Sequence, residues 1–482
     1  MPKSGDGQQD DGDSDDGEDF TAENIPLRDL RRHSLDSIAS SNFDRLLEDD
    51  ISEASSTDLP PVDGGRAAWT FLLGCWLVEA LIWSFPLSFG VFQEYYSQHV
   101  LFRKSGAIPT VGTLATGVAY LGMPFMNMVV VRWPQHKRVM CITGWSMCIA
   151  GLIGASFAKD IKLLLLCQGL MYGTGWVVCY TPFLFMLNGW FDSKRGLAYG
   201  ILFGASGVAG LAVPGAMSWL LQRFGFEVAL RVYALAILCA SGPGLFLIRP
   251  RVPFSKAEKA INLGMPAIEL VRPLRSNHHF YMLVTAVFVQ GLGFFIPNIY
   301  ITSFSSALGL PSSSSAGLLA LVSLSQVSGQ IFQGWISDRV NIYIPLSVSA
   351  LLPGLGAVFL WGPAKGMSYL VPFALLWGFF SASYSVLYTR MCTFLAQTVG
   401  LDGDDGFAML LYGFISFERG VANVLEGPIS SWLVGGTEDS IDIDVAKFGL
   451  AKYAFVVWFT AACMLGASLV GFGLLLKRID RE

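Results

Sequence analysis

Runs of about twenty apolar residues recur along most of this 482-residue chain, each long enough to cross a ~30 Å hydrocarbon core as one helix. Twelve such runs lie near 68–92, 110–131, 138–158, 162–190, 196–221, 229–248, 279–303, 314–336, 343–362, 367–389, 407–434 and 453–476. Inside lipid the backbone must satisfy its own hydrogen bonds, and segments this long do so as helices. Charged residues make up 14%, well below the ~25% of soluble domains. The mean hydropathy is +0.51. The expected fold class is an all-α membrane protein with twelve transmembrane helices in two six-helix halves.

The charge is divided unevenly. Residues 1–62 carry a net −12 and the remainder +7. The acidic, Ser-rich tail has the composition of a disordered segment and no apolar core for a cleaved leader. If it is cytoplasmic and the spans alternate, sixteen Lys and Arg fall on its side and nine on the other. The loop-charge rule then predicts a multi-pass integral protein, expected in the plasma membrane, with both termini cytoplasmic. The longest internal connection, 249–278, is basic and proline-bearing (IRPRVPFSKAEKA). It reads as a cytoplasmic linker between helical bundles at 63–248 and 279–482. VPGAMSWLL (213–221) and EGPISSWLV (426–434) fall at a six-span offset, as a parallel repeat would leave them.

Inside such a chain, polar residues are the informative ones. Gln326, Gln330 and Gln333 fall at i, i+4 and i+7 and share one helix face. Their amides either line a substrate passage or join helices, a role worth about 0.6 kcal/mol on average. Glu79 is the lone acid within its span, with Trp83 one turn later. A charge at mid-bilayer costs about 2.5–3.5 kcal/mol, which a carboxyl escapes by taking up a proton. Glu79 is therefore the candidate proton-coupling residue. Arg419 stays charged and needs water, an anionic ligand, or a carboxylate such as Glu418 or Glu426. Of the two acids, Glu426 at i+7 is better placed.

Trp377, Ser381, Tyr384 and Tyr388 recur at i, i+4, i+7 and i+11, a stripe suited to stacking on a flat ring or to plain packing. The candidate substrate-binding set is thus Gln326, Gln330, Arg419, Asn298, Tyr384, Tyr388 and Trp83. Gln290 and Tyr180 rank below it. Asp338, Arg339, Lys194 and Arg195 lie at helix ends, where charges can latch one access state.

Several classes fall away. The eight cysteines lie in apolar spans without a CxxC, so no metal site or disulfide framework is read. No nucleotide-binding loop, HExxH or GxSxG is present, and only five histidines occur. No enzyme activity, cofactor or nucleic-acid partner is expected. The expected partners are a small-molecule substrate, membrane lipid and protons, for a monomeric protein.

GWISDRV (334–340) resembles the Gly-x-x-x-Asp-Arg loop of the major facilitator superfamily. DGGRAAW (63–69), GWFDSKRGLAYGILFGASGVAG (189–210) and GPISSWL (427–433) are similar to signatures of its monocarboxylate porter family, fungal-type members above all. The resemblance spans about 60–480. It implies a secondary carrier whose central cavity opens alternately to either side. It also exposes departures. Where animal porters carry a Lys after the helix 1 Phe-Pro, this chain has Leu87. Where they carry an Asp and an Arg in helix 8, it has Gln326 and Gln330.

The expected substrate is accordingly a small organic molecule, monocarboxylate-like or neutral and ring-bearing, with import and export both open. Export of a fungal secondary metabolite is the alternative within this class. A metabolite sensor signalling through the tail is the rival of another class; deleting residues 1–60 would separate them.

Overall fold

In the computed structural model the residues described are 60–103, 105, 107–251, 272–401, 405–436 and 450–479. Most of the expected tail, most of the expected linker and the acidic connection at 437–449 lie outside them. The described residues form helices throughout, as the apolar runs demand.

Breaks in the helices follow proline and glycine. Helix α1 (Gly65–Leu87) carries Pro86 in its last turn and is followed by α2 (Phe89–Gln98). Helices α3 (Ile108–Leu121) and α4 (Met123–Arg132) meet at a 43° bend. Helix α5 (Lys137–Ala155) and α6 (Ile161–Trp190) pair through their glycines. Then comes an unbroken assignment, Arg195–Leu247, of 53 residues. A straight helix that long would measure roughly 80 Å, far beyond a bilayer. Gly225, at φ 80°, resolves this by turning the chain there, so α7 (Arg195–Ala236) comprises two arms.

In the second part of the chain, α8 (His278–Phe294) and α9 (Ile296–Ala307) break beside Pro297 as α1 and α2 do beside Pro86. Helix α10 (Ser312–Ser337) and α11 (Tyr343–Gly356) follow. The next stretch begins as α12 (Met367–Leu376) and widens into a π turn at Trp377–Ser381. It tightens into a 3-10 turn at Tyr384–Val386 and resumes as α13 (Leu387–Thr398). Helices α14 (Asp405–Gly436) and α15 (Ala454–Ile479) complete the bundle.

Eight stretches among the described residues are long and apolar enough to cross a membrane, or nine when the bent α3–α4 pair counts as one span. The twelve expected from sequence exceed this for two reasons. Arg195–Leu247 counts once although it turns at Gly225. Helices α10 and α14 are long enough but too polar, because they hold the glutamines, Glu418, Arg419 and Glu426.

Two apolar cores result. One gathers side chains from α1 to α7 and reaches into α13 and α14; the other joins α9 to α12 and α15 around Trp361 and Trp377. Large apolar side chains such as Trp432 and Leu469 remain exposed on the outer surface. On a lipid-solvated bundle those are the expected contact positions.

Candidate functional site

Polar side chains that the membrane would reject converge on one cavity of about 750 Å³ between the helices. That volume lies within the range of small-molecule sites, roughly 300–1,000 Å³. Its walls come from α1, α3, α6 and α7 on one side and from α8, α9, α10, α13 and α14 on the other.

The candidates divide cleanly on position. Gln326, Gln330, Arg419, Asn298, Tyr388, Trp83 and Glu79 all line the cavity. Gln326 Nε2 donates to Ser206 Oγ at 3.4 Å, and Gln330 leaves its Oε1 without a partner. Gln333 stands apart: its amide donates to Ser349 Oγ at 2.7 Å and joins α10 to α11. The shared face of the glutamines is therefore split between passage and joint.

The aromatic stripe on residues 377–388 does not form. The π turn and the 3-10 turn interrupt the 3.6-residue repeat on which it depended. Only Tyr388 of the four lines the cavity. Trp377 is buried in the apolar core, and Ser381 accepts from Gln290. Tyr384 stands behind the wall, 1% exposed, its ring edge-on to Tyr388 at 6.1 Å.

Arg419 is held without an ion pair among the described residues. Its Nη1 donates to Gln290 Oε1, and its guanidinium lies 4.2 Å over the Phe294 ring. Glu426, the acid that spacing favoured, instead accepts from the Ile296 amide at 2.7 Å, at the first turn of α9. Both Glu418 carboxylate oxygens lack hydrogen-bond partners. An unneutralised guanidinium at a cavity wall attracts a carboxylate or an enolic or carbonyl oxygen.

At the other end of the bundle the passage is shut. Asp338 Oδ1 and Oδ2 accept from the amides of Gly196 and Leu197 at 2.8 and 2.9 Å, capping α7 from across the seam. The expected charge-to-charge latch is thus a charge-to-helix-end contact. Arg339 turns back on its own helix, bonding the Trp335 carbonyl at 3.0 Å and covering the Trp335 ring at 4.1 Å. Arg195 stays within its own turn, on the Phe191 carbonyl and on Asp192. Asn127 Nδ2 adds a bond to the Met409 carbonyl at 2.5 Å.

Lys194 belongs to a second anchor, one that sequence reading missed. Asp63, at φ 60°, accepts from the amides of Asp192, Ser193 and Lys194 at 2.8, 3.0 and 2.9 Å and from Ser193 Oγ. Lys194 Nζ returns a bond to the Asp63 carbonyl at 3.2 Å. Partial burial alone would raise the Asp63 carboxyl, but these hydrogen bonds outweigh it and hold it below its ordinary 3.8. Burial has the upper hand at Asp338 and raises its carboxyl, against the Leu197 and Gly196 amides and the charges of Arg390 and Arg339.

Trp176 and Tyr120 were also missed as wall residues. Trp176 and Tyr180 lie at i and i+4 of one span, a signal that was available; Tyr120 offered none.

The family model described as Major Facilitator Superfamily matches residues 70–420. "MFS transporter asaE" of Aspergillus flavus is 27% identical over 421 residues, covering 86% of this chain and 90% of that protein. The "Fujikurins efflux protein" of Gibberella fujikuroi is 28% identical, covering 71% of this chain and 72% of its own length. Monocarboxylate transporter 12 of Xenopus laevis is 24% identical, with 89% and 93% covered. Among solved structures, the E. coli fucose:proton symporter FucP superposes with a TM-score of 0.56 at 12% identity, over 84% of this chain and 99% of that one. The proton:xylose symporter XylE reaches 0.60 at 12% identity, over 84% and 95%. The signatures around Asp63, residues 189–210 and Asp338 thus meet a matching fold and relatives aligned along most of the sequence, and the chain belongs to the Major Facilitator Superfamily of multi-pass membrane transporters.

Proposed function

We propose that the protein carries a small, ring-bearing organic metabolite outward across the membrane, exchanging it for protons at Glu79. The observation that carries this reading is the placement of one buried acid and one buried base on facing walls of a single cavity. Arg419 anchors an acidic or carbonyl oxygen of the substrate, the glutamines take up its further polar groups, and the aromatic wall receives its ring. Glu79, without a hydrogen-bond partner among the described residues, is free to load and release a proton as the cavity changes sides. Three further features support the reading. The shut end of the passage is the basic one, with Lys194, Arg339 and Arg390, which the loop-charge rule puts in the cytoplasm with both termini. The cavity then faces outward, ready to release an exported substrate. One relative is named as an efflux protein. Plasma-membrane residence follows from export.

Transport into inside-out vesicles under an imposed pH gradient tests this. Glu79→Gln should abolish gradient-driven accumulation while leaving substrate counterflow within about threefold of wild type. Accumulation at the wild-type level in that variant would remove Glu79 from coupling.

A further inference from the structure

Four rings stand together on the N-terminal wall of the cavity. Trp176 stacks on Tyr180 at 4.4 Å between centroids, Trp83 tilts against Trp176 at 4.9 Å, and Tyr120 meets Trp83 edge-on at 5.8 Å. Glu79, one helical turn before Trp83, opens on the same space and is only 4% exposed. It has no hydrogen-bond or ion-pair partner among the described residues. A carboxylate kept for packing alone would be paired, since an unpaired one in this setting is costly. Aromatic faces carry negative potential, and a carboxylate adds a full negative charge. Both attract a cation and neither attracts an anion. The opposite wall has the reverse character, with the Arg419 guanidinium facing the cavity.

We propose that the substrate carries a basic or quaternary nitrogen seated among Trp83, Tyr120, Trp176 and Tyr180 against Glu79, with its acidic or carbonyl end on Arg419. It is a dipolar organic molecule. The proposal deepens the reading above and rests on it. It also states how exchange works at one carboxylate. The protonated Glu79 gives up its proton to water as the substrate nitrogen arrives already charged, so one positive charge replaces another and no further reactant is needed. Nothing facing Glu79 competes for that role. Its neighbours are Cys75 on its own helix, Tyr120 on α3, Tyr172, Cys179 and Tyr180 on α6, and Tyr412 on α14, none of them cationic.

Calorimetry on the full chain in lipid nanodiscs tests it, with benzyltrimethylammonium, benzyl alcohol and benzoate as matched cationic, neutral and anionic probes. The cation should bind at least tenfold more tightly than the alcohol, weaken as pH falls, and release one proton per cation bound. Glu79→Gln should abolish both the preference and the proton release. Because removal of the buried Trp176 ring risks misfolding, Trp176→Phe is the second variant. It keeps a ring with a weaker face and should lower cation affinity roughly threefold to thirtyfold while leaving benzoate binding unchanged. Cation binding no tighter than that of benzyl alcohol, or unaltered in Glu79→Gln, overturns the cage. Benzoate binding lost in Arg419→Gln alongside that result would leave the carrier reading standing. Absence of binding by all three probes overturns the dipolar ligand as well.

Discussion

Gly196 and Gly334 meet backbone to backbone across the seam at the shut end, so closely that a methyl group on either would strike the other's carbonyl oxygen. Helix α7 can therefore lie against α10 only while both positions lack a side chain. Gly334→Ala should force the helices apart at about 1–3 kcal/mol. That is a shift of roughly five- to 150-fold toward the open arrangement. Maleimide labelling of an Asn188→Cys reporter, placed behind the seam, should rise accordingly. An unaltered labelling rate would mean that this contact does not hold the passage shut.

The two aspartates of the shut end should answer acid differently. Asp338 has a raised carboxyl when docked, so closure binds its proton more tightly than an undocked Asp does. Its linkage contribution to closure is full below the ordinary 3.8 and is lost as pH rises through the raised value. Asp63 is the reverse. Its contribution is full above 3.8 and disappears only as pH falls through the lower docked value. Labelling of a Ser337→Cys reporter should thus slow on mild acidification in wild type but not in Asp338→Ala. In Asp63→Ala the pH response should remain, with stability lower by about 0.5–2 kcal/mol.

Glutamines on one helix should have unlike phenotypes. Gln333→Ala removes the bond to Ser349 and should cost about 0.6–1.7 kcal/mol in thermal unfolding, with substrate affinity unchanged. Gln326→Ala with Gln330→Ala should do the opposite, weakening affinity about tenfold with little loss of stability. Equal effects of the two sets in both assays would erase the division.

Arg419→Lys keeps the charge and loses the planar group that lies over Phe294 and bonds Gln290. Affinity should fall tenfold or more, since an ammonium cannot reproduce that geometry. Gln290→Leu should produce a milder loss by freeing the guanidinium to swing. Wild-type uptake kinetics in Arg419→Lys would show that charge alone suffices.

Much of this organisation was legible in the chain because lipid is a strict solvent. A span of apolar residues has one fold available, and a polar residue within it must have a reason, which is how Glu79, Gln326, Gln330, Asn298 and Arg419 stood out. What escaped was whatever depended on local irregularity. A regular 3.6-residue repeat was assumed through 377–388, and the turns at Trp377–Ser381 and Tyr384–Val386 broke it, leaving Tyr384 behind the wall. The Asp63 anchor escaped for another reason: its partners are backbone amides, which no side-chain pattern displays. Glu426 was assigned to Arg419 by spacing on one helix, whereas the break beside Pro297 offered it an amide from a different helix. Contacts between distant segments are invisible to periodicity.

The widened turn at Trp377–Ser381 has a consequence for how this wall can be retuned. A π turn accommodates one residue more than the α-helical ladder, so deleting a single residue there would restore the ladder and swivel everything downstream by about 100°. Tyr388 would rotate off the passage and another face of α13 would replace it, with no side chain exchanged. Ligand preference on this wall is governed by chain length as much as by chemistry.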